Sequence, residues 1–338
     1  MGDSIKLKYC LIALFASAAS LPAIAQSQPK PDDKGNFSLV VENDRFGLLG
    51  TDKGYTSGVR ASWVTSPQGT PKWAVNLARQ LPLFADGGKV RAEYAIQQAI
   101  FTPTDTTLVV PNPLDRPYSG WLNASFGLIG ETGPIIDQLS LGVGVVGPDS
   151  GAQETQKLVH DLLGVTSPQG WASLVRNEPT VQLRYQRSWR ALASHAFNTD
   201  YGVDLTPHLG AALGKVYTLA NAGVTVRFGK HLQHDSGPPR IGPSVPGSGF
   251  FEPHTKLGWY LFAGIEGRAV ARNIFLDGNT FVDSPHVSKE PFVTDLQAGL
   301  AITIDQYRVS YTHVWRSREY DGQLRGDQFG AISVSVRW

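Results

Sequence analysis

Along much of this chain apolar and polar residues alternate with a period of two, the pattern of strands that present one apolar and one polar face. The last segment is the clearest: Ile332, Val334, Val336 and Trp338 fall on one face, and Ala331, Ser333, Ser335 and Arg337 on the other. Leu139, Leu141, Val143 and Val145 alternate with Ser140, Gly142 and Gly144. Ala220, Ala222, Val224, Val226 and Phe228 alternate with Asn221, Thr225 and Arg227, and Leu296, Ala298, Leu300, Ile302 and Ile304 with Asp295, Gln297 and Thr303. The pattern predicts strands at 36–44, 54–65, 91–101, 119–129, 137–147, 178–190, 200–213, 218–229, 257–270, 291–304, 306–317 and 327–338.

One face of each strand suits lipid and the other a polar lumen. A chain ending on an aromatic residue in an amphipathic strand also resembles the assembly signal of outer-membrane barrels. The fold class read from this is all-β, a transmembrane antiparallel β-barrel of about twelve strands with a short helix in an extracellular loop. An even count puts both termini on the periplasmic side. The segment from Asn273 to Phe281 also looks strand-like and would make the count odd, so 271–290 is read as one long outer loop. Asp305-Gln306 then makes a tight inner turn, and the Pro/Gly-rich stretch 230–256 falls on the inner side. Inside the 147–177 loop, Gln153 to Gly164 reads as a helix with an apolar stripe of Leu158, Val159, Leu162 and Leu163 and a terminal glycine cap. Gln156 and His160, four residues apart, share one of its faces. Arg184, Arg227, Arg308, Glu266 and Asp295 are expected to fill the narrow lumen with paired charges.

Composition agrees with a β protein: 36 Gly, 8 Trp, 11 Tyr and 15 Phe, with a single Met, and a mean hydropathy of −0.15. No run of about eighteen apolar residues exists, which excludes a helical membrane protein but not a barrel, whose strands dilute the apolar signal. Residues 1–25 read as a cleaved signal peptide: Lys6 and Lys8 precede an apolar stretch from Leu11 to Leu21, and Ala23-Ile24-Ala25 fits a cleavage site. The barrel domain is then 26–338, without Cys10 and so without a disulfide, and near neutral in charge. No basic stripe argues for nucleic acid. Expected are outer-membrane localisation and a monomer.

The usual soluble-hydrolase motifs are absent: there is no G-x-S-x-G elbow and no H-E-x-x-H. His231 and His234 have a possible metal spacing but read as solvated loop, and His286-Val287-Ser288 is a weak echo of a barrel phospholipase motif. More specific are Glu42-Asn43-Asp44 at the end of the first strand, Thr51 to Gly58 entering the second, and Gly147-Pro148-Asp149 followed by Gln153-Glu154-x-Gln156-x-x-x-His160. Between them stand Gln98 to Pro103 and Asp115-Arg116-Pro117-Tyr118-Ser119-Gly120-Trp121, and later Phe275-Leu276-Asp277-Gly278-Asn279. In this order, over nearly the whole chain after the leader, these blocks resemble the outer-membrane lipid A 3'-O-deacylase (LpxR-like) family. The resemblance implies a Ca²⁺-dependent esterase acting on lipid A in lipopolysaccharide, with His160 as catalytic histidine and Asn43, Asp44 and Thr56 at its other site positions. The lysine that follows the Thr-Pro block in part of that family is missing from Thr104-Asp105-Thr106-Thr107-Leu108, so its role is absent here or supplied by another residue such as Arg116.

Elementary chemistry is compatible with that implication. Ester hydrolysis without a nucleophilic Ser or Cys needs an activated water and a polarised carbonyl. A neutral histidine can take the water's proton. Asp44 is a hard oxygen ligand for Ca²⁺, and Thr56 can add another. The Asn43 amide can serve the oxyanion, and Gln156 can orient the imidazole or a substrate group. Taken singly, Asn-Asp at a strand end reads as a turn, and Asp115-Arg116 as a structural ion pair. Alternation places Phe37, Leu39, Val41 and Asn43 on the lipid-facing side, which suggests a site on the outer wall under the 147–177 helix. Thr56 shares a face with Arg60 and Ser62 unless a bulge near Gly54 or Gly58 intervenes. Two rivals stand beside this reading: an outer-membrane phospholipase-type esterase, which needs a Ser–His pair, and a non-catalytic porin or structural barrel, which needs an open polar lumen.

Overall fold

The computed structural model describes residues 34–47, 54–84, 87–232, 237, 250–252 and 257–338. The signal-peptide segment, Thr51 to Lys53 and His234 lie outside the described residues. The strands are β1 (Asn36–Asn43), β2 (Gly54–Val64), β3 (Lys89–Thr102), β4 (Ser119–Thr132), β5 (Ile135–Val146), β6 (Glu178–Trp189), β7 (Ala193–Ala196), β8 (Tyr201–Gly214), β9 (Tyr217–Lys230), β10 (Leu257–Asn273), β11 (Phe292–Ile304), β12 (Tyr307–Arg316) and β13 (Gln328–Arg337). Each long strand pairs antiparallel with its sequence neighbour, β1 pairs with β13, and β6 pairs with β8. The sheet therefore closes into a barrel of twelve long strands, leaving no long edge to aggregate. The short exposed β7 pairs with β8 beside the end of β6 and has no counterpart in the sequence pattern. Among the described residues no helix is long and apolar enough to cross a membrane.

The alternation read from sequence is the inside–outside alternation of this wall. Phe37, Leu39, Ile96, Leu141, Val143 and Val334 are exposed on the outside. Inward residues are polar and mostly paired. Asp295 sits between Arg268 and Arg316, with N–O distances of 2.9 Å to each, and Arg268 also reaches Glu266 at 3.0 Å. Arg227 pairs with Asp204 at 2.7 Å, and Glu266 also receives His208 at 3.0 Å. Arg308 and Arg184 lie over aromatic rings, Phe251 and Trp121, and Arg308 also donates to the Gly237 carbonyl at 3.4 Å.

Both ends of the lumen are plugged. At the end carrying Gly35 and Trp338, the segment 250–252 enters the barrel: Arg91 lies 3.5 Å over the Phe250 ring, and Asn36 donates to the Phe251 carbonyl at 3.3 Å. At the other end the short helix Ile274–Asp277 drives Ile274 and Phe275 into a cluster with Tyr55, Phe101, Trp121 and Phe329, and Leu276 is buried beside them in the chain. This accounts for the strand-like look of Asn273 to Phe281: its apolar residues cap the lumen rather than extend the wall. An open pore, as the porin reading requires, is not present among the described residues.

The remaining helices both lie against β3 and β4. Helix α1 (Lys72–Gln80), unforeseen in the sequence pattern, buries Ala74 and Ala78 with Phe84 and Leu128 near the terminus end of the barrel. Helix α2 (Ala152–Leu163) lies at the opposite end and matches the expected 153–164 helix, with Gly164 as its left-handed cap at φ 66°.

Candidate active site

A single transverse row of backbone pairs assembles the outer rim. Asn43 of β1 pairs with Ser57 of β2, Ser57 with Ile100 of β3, and Ile100 with Gly120 of β4. Neighbouring strands lie about 4.8 Å apart, so this row spans roughly 14 Å. At its far end Gly120 admits α2: a methyl group there would collide with Ala152 Cβ and Ser150 Oγ. Gln98, two pairs below Ile100 and on the same face, donates to the Ser150 carbonyl at 2.7 Å and ties the turn before α2 to the wall. Tyr118 and Trp171 complete the seat, packed with Ile100 and Ala152.

Thr56 joins this face through a bulge. The β2–β3 register shifts between Tyr55 and Ser57, so Thr56 is an extra residue. Tyr55 keeps its ring in the lumen against Phe101 and Phe329, at centroid distances of 5.3 and 5.0 Å. Thr56 turns instead to Thr102, with hydroxyls 2.6 Å apart. Thr102 follows the lumenal Phe101 and so faces outward. The conflict between Thr56 and the Arg60–Ser62 face is thereby resolved.

The buried face of α2 carries Ala152, Gln156 and His160 at four-residue spacing. His160 Nδ1 lies 2.8 Å from the Thr166 carbonyl oxygen. A carbonyl only accepts, so this bond places a proton on Nδ1, and in the neutral ring the lone pair is then on Nε2. The chain reversal at Gly164 makes the bond possible: the Gly164 N–H bonds back to the Asp161 and His160 carbonyls, and Val165 N–H to His160 O at 3.0 Å. Gln156 Oε1 accepts the Trp171 indole N–H at 2.9 Å, while its Nε2 is buried without a protein hydrogen-bond partner. Gln156 thus orients no imidazole through a hydrogen bond seen here; its carbonyl holds Trp171, and its amide N–H is the donor end left over.

Asn43 accepts the Arg45 N–H on Oδ1 at 2.9 Å, the local turn that its position at a strand end suggested. That orientation makes Nδ2 its donor end. Asp44, next in the chain, is buried in a 3-10 turn over Asp44–Gly47. Among the described residues no group of three or more His, Cys, Asp or Glu forms a metal cluster. One carboxylate with neutral hydroxyl and carbonyl oxygens is nonetheless a hard donor set of the kind Ca²⁺ accepts, so the residues present fit that ion.

Asp115 and Arg116 do not form an ion pair with each other. Asp115 accepts the Thr104 N–H at 2.7 Å and the Tyr320 hydroxyl. Arg116 is fully buried, 4.8 Å over the Phe101 ring, with Glu319 at 3.4 Å and Asp327 at 3.7 Å. Burial pushes Asp327 up to about 6 against the pull of Arg116, with Glu319 adding to the rise. Because Phe101 is lumenal and Thr102 outward, Arg116 over the Phe101 ring lies on the lumenal side of the wall, away from the face that carries Thr102 and Thr56. The Phe275 to Asn279 block is likewise structural: Asn279 bonds Arg176 N–H and O, each at 2.8 Å, and Glu178 at 3.1 Å. His286 turns Nδ1 to the Ser284 carbonyl at 2.9 Å, a local loop contact.

A family model described as outer membrane protein LpxR matches residues 10–338. The chain belongs to the LpxR family. Among solved structures, LpxR from Salmonella typhimurium superposes with a TM-score of 0.72 at 19% identity, covering 89% of this chain and 99% of that one. The β domain of the Bordetella autotransporter BrkA, with a TM-score of 0.43, 10% identity and coverages of 91% and 99%, is a more distant barrel. No curated protein matches. Membership of the LpxR family makes the chain an outer-membrane barrel enzyme, a lipid A deacylase.

Proposed function

We propose that this LpxR-family enzyme hydrolyses the 3'-O-linked acyl-oxyacyl ester of lipid A in the outer leaflet, with His160 as general base and with Ca²⁺ held by Asp44 and Thr56. The observation that carries the reading is His160 on the buried side of a helix seated on the outer wall, its Nδ1 tied to the Thr166 carbonyl so that Nε2 is the basic atom. A site on the outer wall is where a lipid arriving sideways from the membrane can be met; the plugged lumen offers no such route.

The chemistry follows from these groups. His160 Nε2 takes a proton from water, whose oxygen attacks the ester carbonyl carbon. Asn43 Nδ2 donates to the oxyanion that develops on the carbonyl oxygen. Collapse breaks the carbon–oxygen bond to the sugar, and the imidazolium returns its proton to the departing sugar oxygen, giving a free fatty acid and a free 3'-hydroxyl. Gln156 Nε2 donates to an oxygen of the bound lipid. Ca²⁺, when bound, supplies Lewis-acid polarisation of the ester carbonyl. With a single carboxylate in the set, the enzyme is expected to need Ca²⁺ at the higher concentrations typical outside cells.

The test is mass spectrometry of lipid A from cells producing wild type or His160→Ala, with and without a Ca²⁺ chelator. Loss of one acyl-oxyacyl unit in wild type alone, abolished by chelation, is expected. Unchanged lipid A with folded, surface-located wild type would overturn the reading.

A further inference from the structure

Helix α2 has three sides, and the active site uses only one. At about 100° per residue, Ala152, Gln156 and His160 face the wall, Leu158 and Leu162 lie on a second row that begins with the exposed Glu154 at the helix start, and Gln153, Lys157 and Asp161 lie on a third. Leu158 is 61% and Leu162 77% exposed, and the polar three are exposed as well. An exposed leucine pair about 120° round the helix from an exposed polar flank is the pattern of a helix lying in a membrane interface.

The wall beneath supplies the continuity. Ile100, under α2, is four residues from Ile96 along β3, about 14 Å at strand rise. Ile96 faces outward and is 54% exposed, part of the apolar belt of the barrel. We infer that α2 is a membrane-seated ledge: its Leu158–Leu162 flank inserts among the acyl chains of the outer leaflet, continuous with the barrel's lipid-facing belt, while its Gln153–Lys157–Asp161 flank stays in water. The ledge holds the helix at the depth where lipid ester bonds lie, so His160 meets a substrate that need not leave the membrane. This last consequence rests on the deacylase reading; the seat of the helix does not.

The experiment places nitroxide labels at Leu162→Cys and, separately, Lys157→Cys in full-length protein refolded into phospholipid vesicles. Cys10, the sole cysteine of the sequence, is replaced by Ser. Both positions are exposed, so neither change threatens the fold. Expected is a label at 162 relaxed by oxygen and shielded from an aqueous nickel chelate, and a label at 157 with the reverse behaviour. A label at 162 as open to the chelate as that at 157 would overturn the ledge. So would shielding from the chelate without a gain in oxygen relaxation, which would mean that protein covers the flank. In parallel, a Leu158→Asn, Leu162→Asn double variant should lose lipid A deacylation in cells yet keep it on detergent-dispersed substrate. If the labels sort as expected while wild type leaves lipid A unchanged, the seat stands and the hydrolase reading falls.

Discussion

Helices α1 and α2 pack on the same two strands at opposite ends of the barrel and bury different chemistry. Helix α1 buries two alanines, Ala74 and Ala78, with Phe84 and Leu128, and lays Trp73 5.0 Å from the Phe126 ring. Helix α2 puts Gln156 and His160 where small apolar residues would serve packing as well. Burying an amide and an imidazole costs free energy unless their hydrogen bonds are met. Here Gln156 Oε1 is met by Trp171 and His160 Nδ1 by Thr166, while Gln156 Nε2 is left over. A seat that only needed to hold a helix would look like that of α1. The polar buried face of α2 is what a functional site looks like when stability has been traded for it.

The comparison breaks most directly at His160. His160→Ala is expected to lower deacylation by about 10²–10⁴, the range for a lost general base, while the barrel stays folded as read by heat-modifiable gel mobility. A variant that kept its rate would reduce α2 to a second α1. Asn43→Ala, at the other end of the transverse row, should cost about 10²–10³ in rate, as for a lost oxyanion donor. Its effect should appear in kcat rather than KM. The matching change on α1 is Ala78→Leu, which overpacks a filled seat. It should lower unfolding free energy by about 1–3 kcal/mol in a denaturant titration and leave the rate per folded molecule unchanged.

The strands were legible because lipid outside and polar lumen inside impose one rule on every strand. The alternation at Leu296 to Ile304 and at Ile332 to Trp338 maps directly onto exposure, and the long strands fall within a few residues of their predicted spans. Elements without that rule escaped. Helix α1 carries Ala74, Ala78 and Leu81 at helical spacing, a pattern too short to stand out between two strong strands. All four residues of β7 are exposed, so it has no face to alternate. Phe250 and Phe251 turn into the barrel only because Arg91 and Arg308 wait there, a long-range fact that no local pattern carries. At the site, the clash between Thr56 and the Arg60–Ser62 face was itself the signal of the bulge. The side of the wall on which Arg116 lies was not legible, since a loop residue has no strand parity to fix it.

The smallest effect expected tests how the base is held rather than whether it is one. Helix α1 ends on Leu81 in an extended conformation, whereas α2 ends on Gly164 at φ 66°. That left-handed residue brings Thr166 back under His160, and with it the acceptor that fixes the proton on Nδ1. Gly164→Ala forces a side chain into this conformation at about 1–2 kcal/mol. A methyl group at 164 meets no neighbour within contact range, so the strain is in the backbone alone. The helix end should loosen, His160 should lose its fixed tautomer part of the time, and kcat should fall by no more than about tenfold, the equivalent of 1.4 kcal/mol. Imidazole ¹⁵N shifts would show mixed Nδ1–H and Nε2–H forms in the variant against one form in wild type. An unchanged tautomer with a reduced rate would mean that the Thr166 carbonyl does not set the base, and that α2 positions His160 by packing alone.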